Sequence, residues 1–402
     1  MGILYVFGVP IGLGGHFRSA LAMVKYISKK GIKFFAIAPG GSQEMLEEYR
    51  AEGCDMIIAS ELSRFNPFLN LSSTKAIIIE CRKRSIDIIH SQDFRSLYPS
   101  YLAATVLKKG FVFTRAGRHV VQHIPPRNVE IVVFSEELLD GMIRQFNLSK
   151  DNISLIRARI DLSCYSKKSV SGDFAEKYHL PTSGKRIVMA MRLIKAKRPW
   201  LQTMLRLAEH LSRENMLSNL IIAGDGPLSA ELKRQADRIN NICGKKYIHF
   251  IGPIFNIKEM NQLYHYADLV IGHGRGILEA MACRKPVVVL GENGRGEVVD
   301  ENTVSDVAKS NFSGRHLRHK DVTFMELLST IKAILQDEVL PKDLGDFSYR
   351  YVKSEMDAEI GASQLYDVYS RAINRTLSWR DCLRWHTATL LNNSGKLFRV
   401  HP

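Results

Sequence analysis

Short apolar runs that stop at glycine or at a basic residue, each followed by a run of helical period, recur along most of this 402-residue chain. Parallel strands cannot be joined by a tight turn, so each needs a crossover, and the crossover is usually a helix. A chain that alternates at this pace therefore folds into parallel sheets wrapped by helices on both faces, and little else fits. Ile3 to Val9 is the first apolar run, closed by Gly8, Gly12, Gly14 and Gly15. A helix from His16 follows, with Leu21, Val24 and Ile27 on one face, and Lys33 to Ala38 is the next strand. A glycine-rich first turn in such a unit marks a phosphate-binding doubly wound domain. The glycine spacing departs from G-x-G-x-x-G, and Pro39-Gly40-Gly41, not an acid, ends the second strand, which disfavours a dinucleotide site.

The alternation runs on through strands at Met56 to Ala59, Ile86 to His90, Phe111 to Thr114, Glu130 to Phe134 and Ile153 to Ile156. A polar segment, Asp161 to Ser183, then reads as a connection, and the pattern restarts with Arg186 to Met191, Asn219 to Ala223, Tyr247 to Ile251, Leu269 to Ile271 and Val287 to Leu290. We expect a first domain over 1–165, a second over 166–345, and helices over 346–402 that cross back to the first. In open parallel sheets, ligands sit at the carboxyl ends of strands. Arg192 to Lys197, Gly224 to Pro227, Gly252 and Gly272 to Gly276 all fall there.

A net charge of +15 favours anionic partners, but the excess is spread along the chain and no nucleic-acid motif accompanies it, so nucleic acid is not expected. Six cysteines lie far apart without metal-ligand spacing, so reduced thiols in a cytoplasmic protein and no metal site are expected. No apolar run reaches the roughly 18 residues that span a bilayer. Near the end, RAINRTLSWRDCLRWHTATLL places Arg371, Arg375, Arg380 and Arg384 among Leu377, Trp379, Leu383 and Trp385. Two readings stay open: a peripheral helix on the anionic inner face of a membrane, or, favoured, a helix packed on the first domain with tryptophan in the core.

The richest stretch is IGHGRGILEAMACRKPVVVLG, Ile271 to Gly291. Glycines around Arg275 feed a helix from Ile277 to Ala282. A glycine turn opening a helix presents backbone N–H groups and a positive dipole end, an anion site suited to a phosphate. Glu279, in the first turn or so, can accept from paired hydroxyls such as those of a ribose.

Together, the early Gly14-Gly15 loop, "AMRLIKAKRP", "LIIAGDGP", "YIHFIG" and "LEAMACRKPVVV" resemble retaining glycosyltransferases of family 4. The resemblance spans roughly residues 3 to 310 and is strongest from Ile187 onward. It implies the GT-B architecture: two Rossmann-like doubly wound domains, an interdomain cleft between them, and a helical C-terminal tail. It further implies a nucleotide-sugar donor held mainly by the second domain and an acceptor, a glycan or a lipid-linked saccharide, on the first. By similarity Arg192 and Lys197 neutralise the donor's phosphates as charge builds on the leaving group, so no cofactor or metal is implied. Glu279 grips the ribose. Gly14 and Gly15 let backbone approach the donor phosphate, Gly252 lies beside the nucleobase, and the Gly274, Arg275, Gly276 and Ile277 segment holds phosphate.

Three positions depart from the family pattern. An earlier glutamate is replaced by Ile271. A histidine motif reads Thr114-Arg115-Ala116-Gly117, which leaves His119 or Arg115 to serve near the acceptor, with His119 taken as a catalytic candidate. The usual Asn-Gly-Ile-Asp reads Ala158-Arg159-Ile160-Asp161. His16 is a lesser candidate, and His90 is expected to close a strand. These departures keep two alternatives alive: a glycosyltransferase-like binding subunit without catalysis, and a nucleotide-sugar epimerase on the same architecture.

Overall fold

The computed structural model of the chain describes residues 1–12, 14–63, 71–117, 125–165, 170–214, 216 and 218–397. The chain divides into two compact units, Met1–Arg159 with Ala358–Pro402, and Ile160–Asp357.

In the first unit the described strands are β1 Gly2–Val6, β2 Lys33–Ala38, β3 Cys54–Ile58, β4 Ile88–Ser91, β5 Gly110–Arg115, β6 Glu130–Val133 and β7 Ile153–Leu155. They form one parallel sheet in the order β3-β2-β1-β4-β5-β6-β7. Helices start where polar side chains cap them. Ser42, Asp93 and Ser135 each accept from the backbone N–H three residues on. The Asp93 cap starts its helix at Phe94. Helix Ala358–Ile373 returns to this unit and packs on helix Gly15–Ser28 and on β5. Its Tyr369 hydroxyl lies 2.9 Å from His90 Nδ1, whose Nε2 lies 2.7 Å from Thr114 Oγ1. His90 is buried, and burial pushes its pKa down to about 3. The residue joins three elements through neutral hydrogen bonds. Helix Trp379–Leu397 packs on helix Phe94–Leu107, with Trp385 between Tyr98 and Tyr101.

The second unit contains β8 Lys185–Ala190, β9 Ser218–Ala223, β10 Ile248–Gly252, β11 Leu269–Gly272, β12 Val287–Leu290 and β13 Gly296–Val298. Their order is β10-β9-β8-β11-β12-β13, with β13 antiparallel to β12 and the others parallel. The central strands carry unbroken Ile, Leu and Val because both faces are covered, and each such side chain stabilises by roughly 1.5–3 kcal/mol. Sequence reading gave this sheet its parallel strands. It missed β13, a three-residue antiparallel edge whose Gly-Glu-Val carries no periodic signal. Helix Leu340–Glu355 lies in this unit, against helix Arg275–Ala282. The polar connection expected over Asp161 to Ser183 also lies here and holds helix Gly172–Lys177.

Candidate functional site

The strand order of the second unit reverses between β8 and β11, which makes that pair the switch point where ligands of open α/β sheets bind. Two loops leave there. The loop after β8 carries Arg192 and runs through a 3-10 turn, Lys195–Lys197, into helix Arg198–Arg213. The loop after β11 is His273-Gly274, and helix Arg275–Ala282 begins at once. Gly274 has φ +66°, a left-handed conformation that favours glycine, so the sharp reversal into the helix is written in the residue type.

Lys197 is half-buried at this point. Its ammonium stands 2.5 Å from His273 Nε2 and 4.4 Å from the centre of the Trp200 ring. The Trp200 and His273 rings stack at 5.0 Å and 26°, and Trp200 Nε1 donates to the Leu290 carbonyl at 2.8 Å. Burial lowers the Lys197 pKa to about 8. The Glu292 carboxylate opposes that shift, while the Arg192 and Arg315 cations add to it. His273 is pushed down to about 3 by burial, then by Lys197 and Arg315. It is therefore neutral and accepts from the ammonium at Nε2. Lys197 thus lies within electrostatic reach of two other cations, and Glu292, the carboxylate that opposes them, is itself ion-paired with Arg318 at 2.7 Å. Such a concentration of positive charge is costly without an anion.

Glu279 lies a full turn inside the helix, because the helix starts at Arg275 and not at Ile277 as the sequence indicated. It is only 7 % exposed. Arg275 Nε donates to its Oε1 at 2.8 Å and the Tyr264 hydroxyl to its Oε2 at 3.1 Å. The Gly274 N–H goes to the Phe312 carbonyl at 2.5 Å, and the Ile277 N–H to the Gly274 carbonyl at 3.1 Å. Two of the amides expected to meet phosphate are thus engaged within the protein. Gly276 sits close against its neighbours: a Cβ there would lie 3.2 Å from the Tyr264 hydroxyl and 3.8 Å from the Ala190 carbonyl at the end of β8. Gly252 ends β10 with φ +78°.

The structure therefore gathers Arg192, Lys197 and the Gly274–Ile277 turn at one strand edge. Gly14 and Gly15 belong to the other unit, where Gly14 caps helix Gly15–Ser28 after β1. His119 lies outside the described residues. Arg115 ends β5. Sequence reasoning missed His273, Trp200, Tyr264 and Arg315. Only the pairing of Trp200 and His273 in space gives them meaning. Among the described residues, no group of three His, Cys, Asp or Glu side chains is placed to hold a metal ion, and no helix is long and apolar enough to cross a membrane.

A family model described as glycosyl transferases group 1 matches residues 184–315, all within the second unit. No curated protein sequence matches the chain. Among solved structures, a glycosyltransferase from Rickettsia africae is 19% identical, with TM-score 0.72 over 93% of this chain and 99% of its own. The Anabaena protein HepE, solved in complex with UDP and glucose, is 14% identical with TM-score 0.66, covering 92% of this chain and 100% of its own. A UDP-GlcNAc 2-epimerase from Neisseria meningitidis, bound to UDP-GlcNAc, is 11% identical with TM-score 0.62, over 92% and 100%. At these identities the likeness is one of fold: the chain has the GT-B fold, two parallel-sheet α/β units with a helical C-terminal region.

Proposed function

We propose that the chain is a glycosyltransferase that moves a hexosyl group from a UDP- or GDP-sugar to a hydroxyl of a glycan or lipid-linked acceptor, with retention of configuration and without a metal. The observation that carries this reading is the placement of Lys197 and the Arg192 loop at the β8–β11 switch point, beside the glycine turn of a helix. A diphosphate is the anion that matches that charge. The family model over 184–315 supports the same reading.

In the reaction, the bond between the sugar's anomeric carbon and the diphosphate oxygen breaks as the acceptor oxygen bonds that carbon on the same face. The acceptor proton passes to the departing phosphate oxygen. Arg192 and Lys197 meet the charge that develops on the leaving group, and the Gly276 region of the helix start approaches its phosphates. Glu279 takes a ribose hydroxyl on a lone pair left over from its Arg275 and Tyr264 bonds, since each carboxylate oxygen accepts more than one donor. The acceptor is assigned to the first unit. Lys197→Ala should lower turnover at least about tenfold, ~1.4 kcal/mol or more. Unchanged turnover would remove Lys197 from the chemistry.

A second reading, a nucleotide-sugar epimerase, is favoured by the likeness to the Neisseria meningitidis enzyme. It differs in needing no acceptor. NMR of the protein with a UDP-sugar alone separates the two: an epimerase interconverts the sugar, while a transferase leaves it unchanged or slowly hydrolyses it.

A further inference from the structure

The Gly224-Asp225-Gly226 loop after β9 has no part in the chemistry above, yet its backbone is tied on one side to the Arg192 loop, which does, and on the other to the end of β10. The Met191 N–H donates to the Ala223 carbonyl at 3.0 Å and the Leu193 N–H to the Asp225 carbonyl at 2.9 Å. The Leu228 N–H returns a bond to the Leu193 carbonyl at 2.9 Å. Arg192 is therefore bracketed: the residue before it is hydrogen-bonded to the last residue of β9, and the residue after it to this loop. On the other side, the Gly224 N–H donates to the Gly252 carbonyl at 2.8 Å. Strand pairing ends at Ala190, Ala223 and Gly252, but the cross-linking continues past it.

Only glycine permits this closeness. Gly224 and Gly226 have φ +147° and +153°, where side chains are strained. A Cβ on Gly224 would overlap the Met191 carbonyl oxygen, and one on Gly226 would lie 2.5 Å from the Leu193 carbonyl oxygen. The loop's own shape is held by Ser229. Its hydroxyl lies 2.6 Å from Asp225 Oδ1 and accepts from the Gly226 N–H at 3.0 Å. The Ser229 bond, then the Gly226 amide, lowers the Asp225 pKa, so the carboxylate stays charged in this role.

We infer that this loop is a positioning device: it fixes the backbone of Arg192 relative to Gly252, so that one nucleoside diphosphate can meet the guanidinium and the β10 loop together. Gly224, Gly226 and Ser229 are positioning residues that act through Arg192 and touch no ligand themselves. The inference rests on the diphosphate reading of the site. Its physical basis is that a side chain presented from a fixed backbone needs little ordering when the ligand arrives.

The test is a double-mutant cycle on UDP and GDP affinity, measured by calorimetry on the full chain, with Tm recorded for every variant. Ser229→Ala loosens the loop without a steric clash, and Gly226→Ala displaces it. Each should weaken binding about 3- to 10-fold in the wild-type background and cost nothing more in an Arg192→Ala background. Equal weakening in both backgrounds would overturn the inference, because the loop would then act on the ligand or on the fold directly. So would wild-type affinity in Ser229→Ala and Gly226→Ala proteins that melt as the wild type does. If Gly226→Ala fails to fold, Ser229→Ala alone decides. A wild-type chain that binds neither UDP nor GDP rejects the diphosphate reading itself, a result distinct from either of these.

Discussion

Lys197 carries its charge where charge is discouraged, half-buried against Trp200 and near two other cations. With its pKa lowered to about 8, it is mostly protonated at pH 7 and mostly neutral at pH 9. The sign of the pH dependence follows: an anionic diphosphate should bind well below pH 8 and lose affinity as the pH rises through that value. Titration of UDP by calorimetry between pH 6.5 and 9.5 should show the decline, and Lys197→Arg, which keeps its charge, should flatten it. A wild-type profile without the decline would mean that the ammonium does not face the ligand. The neighbouring carboxylate gives a second residue-scale expectation. Glu279→Ala removes the acceptor of both Arg275 and Tyr264 in a buried setting, so it should lower Tm as well as affinity. Glu279→Gln should spare more of the stability than of the affinity, with thermal melts and titrations read side by side. How far such residues were legible varies for a plain reason. Arg192, Lys197 and Glu279 stand at fixed offsets within one loop or helix, so the chain itself shows them. His273 and Trp200 are 73 positions apart. Their stack exists only because β8 and β11 are neighbours.

At the scale of elements, the C-terminal helices show two kinds of surface. Helix Ala358–Ile373 and the turn that follows it bring Arg371 and Arg375 to Glu130, a carboxylate with no exposure, at 3.0 and 2.7 Å. Glu130→Ala would leave two guanidinium groups beside an apolar gap. It should destabilise the protein by on the order of 3 kcal/mol, measured by denaturant unfolding, and a change below 1 kcal/mol would show that solvent already satisfies both arginines. Helix Trp379–Leu397 divides the two readings of its sequence between its faces. Trp385 and Cys382 are buried, while Trp379 and Leu383 stand 49% and 61% exposed one turn apart, next to Arg380 and Arg384. We propose that this outer stripe rests on anionic lipid. Sedimentation with vesicles should show binding to phosphatidylserine-containing bilayers, weaker by about tenfold for Arg380→Glu with Arg384→Glu, and little binding to neutral ones. Equal recovery on both vesicle types would remove the electrostatic part of that proposal. A strand such as Val287–Leu290 was readable because both faces are buried and its apolar run is unbroken. Helix Phe324–Gln336, capped by Thr323 and Glu326, went unread although its capping box is plain in the sequence.

At the scale of the whole molecule, one topological idea is used twice. In each unit the sheet order reverses beside its first strand, β1 next to β4 and β8 next to β11, and glycine-bearing loops leave the carboxyl ends there. That repetition was legible because it is set by the order of apolar runs. The proposed ligand was less so, because charge and glycine turns are compatible with a phosphate and do not say what is attached to it. The most direct test of the central claim, that a nucleoside diphosphate binds at the β8–β11 switch point, is the melting temperature of the full chain in the presence of UDP, GDP and their sugars. A ligand at 100 times its Kd adds about 2.7 kcal/mol to the folded state, enough for a shift of a few degrees. We expect one nucleotide series to raise Tm in the wild type and to lose most of that effect when Arg192 and Lys197 are both alanine. No shift with any nucleotide, or an equal shift in the double variant, would contradict it.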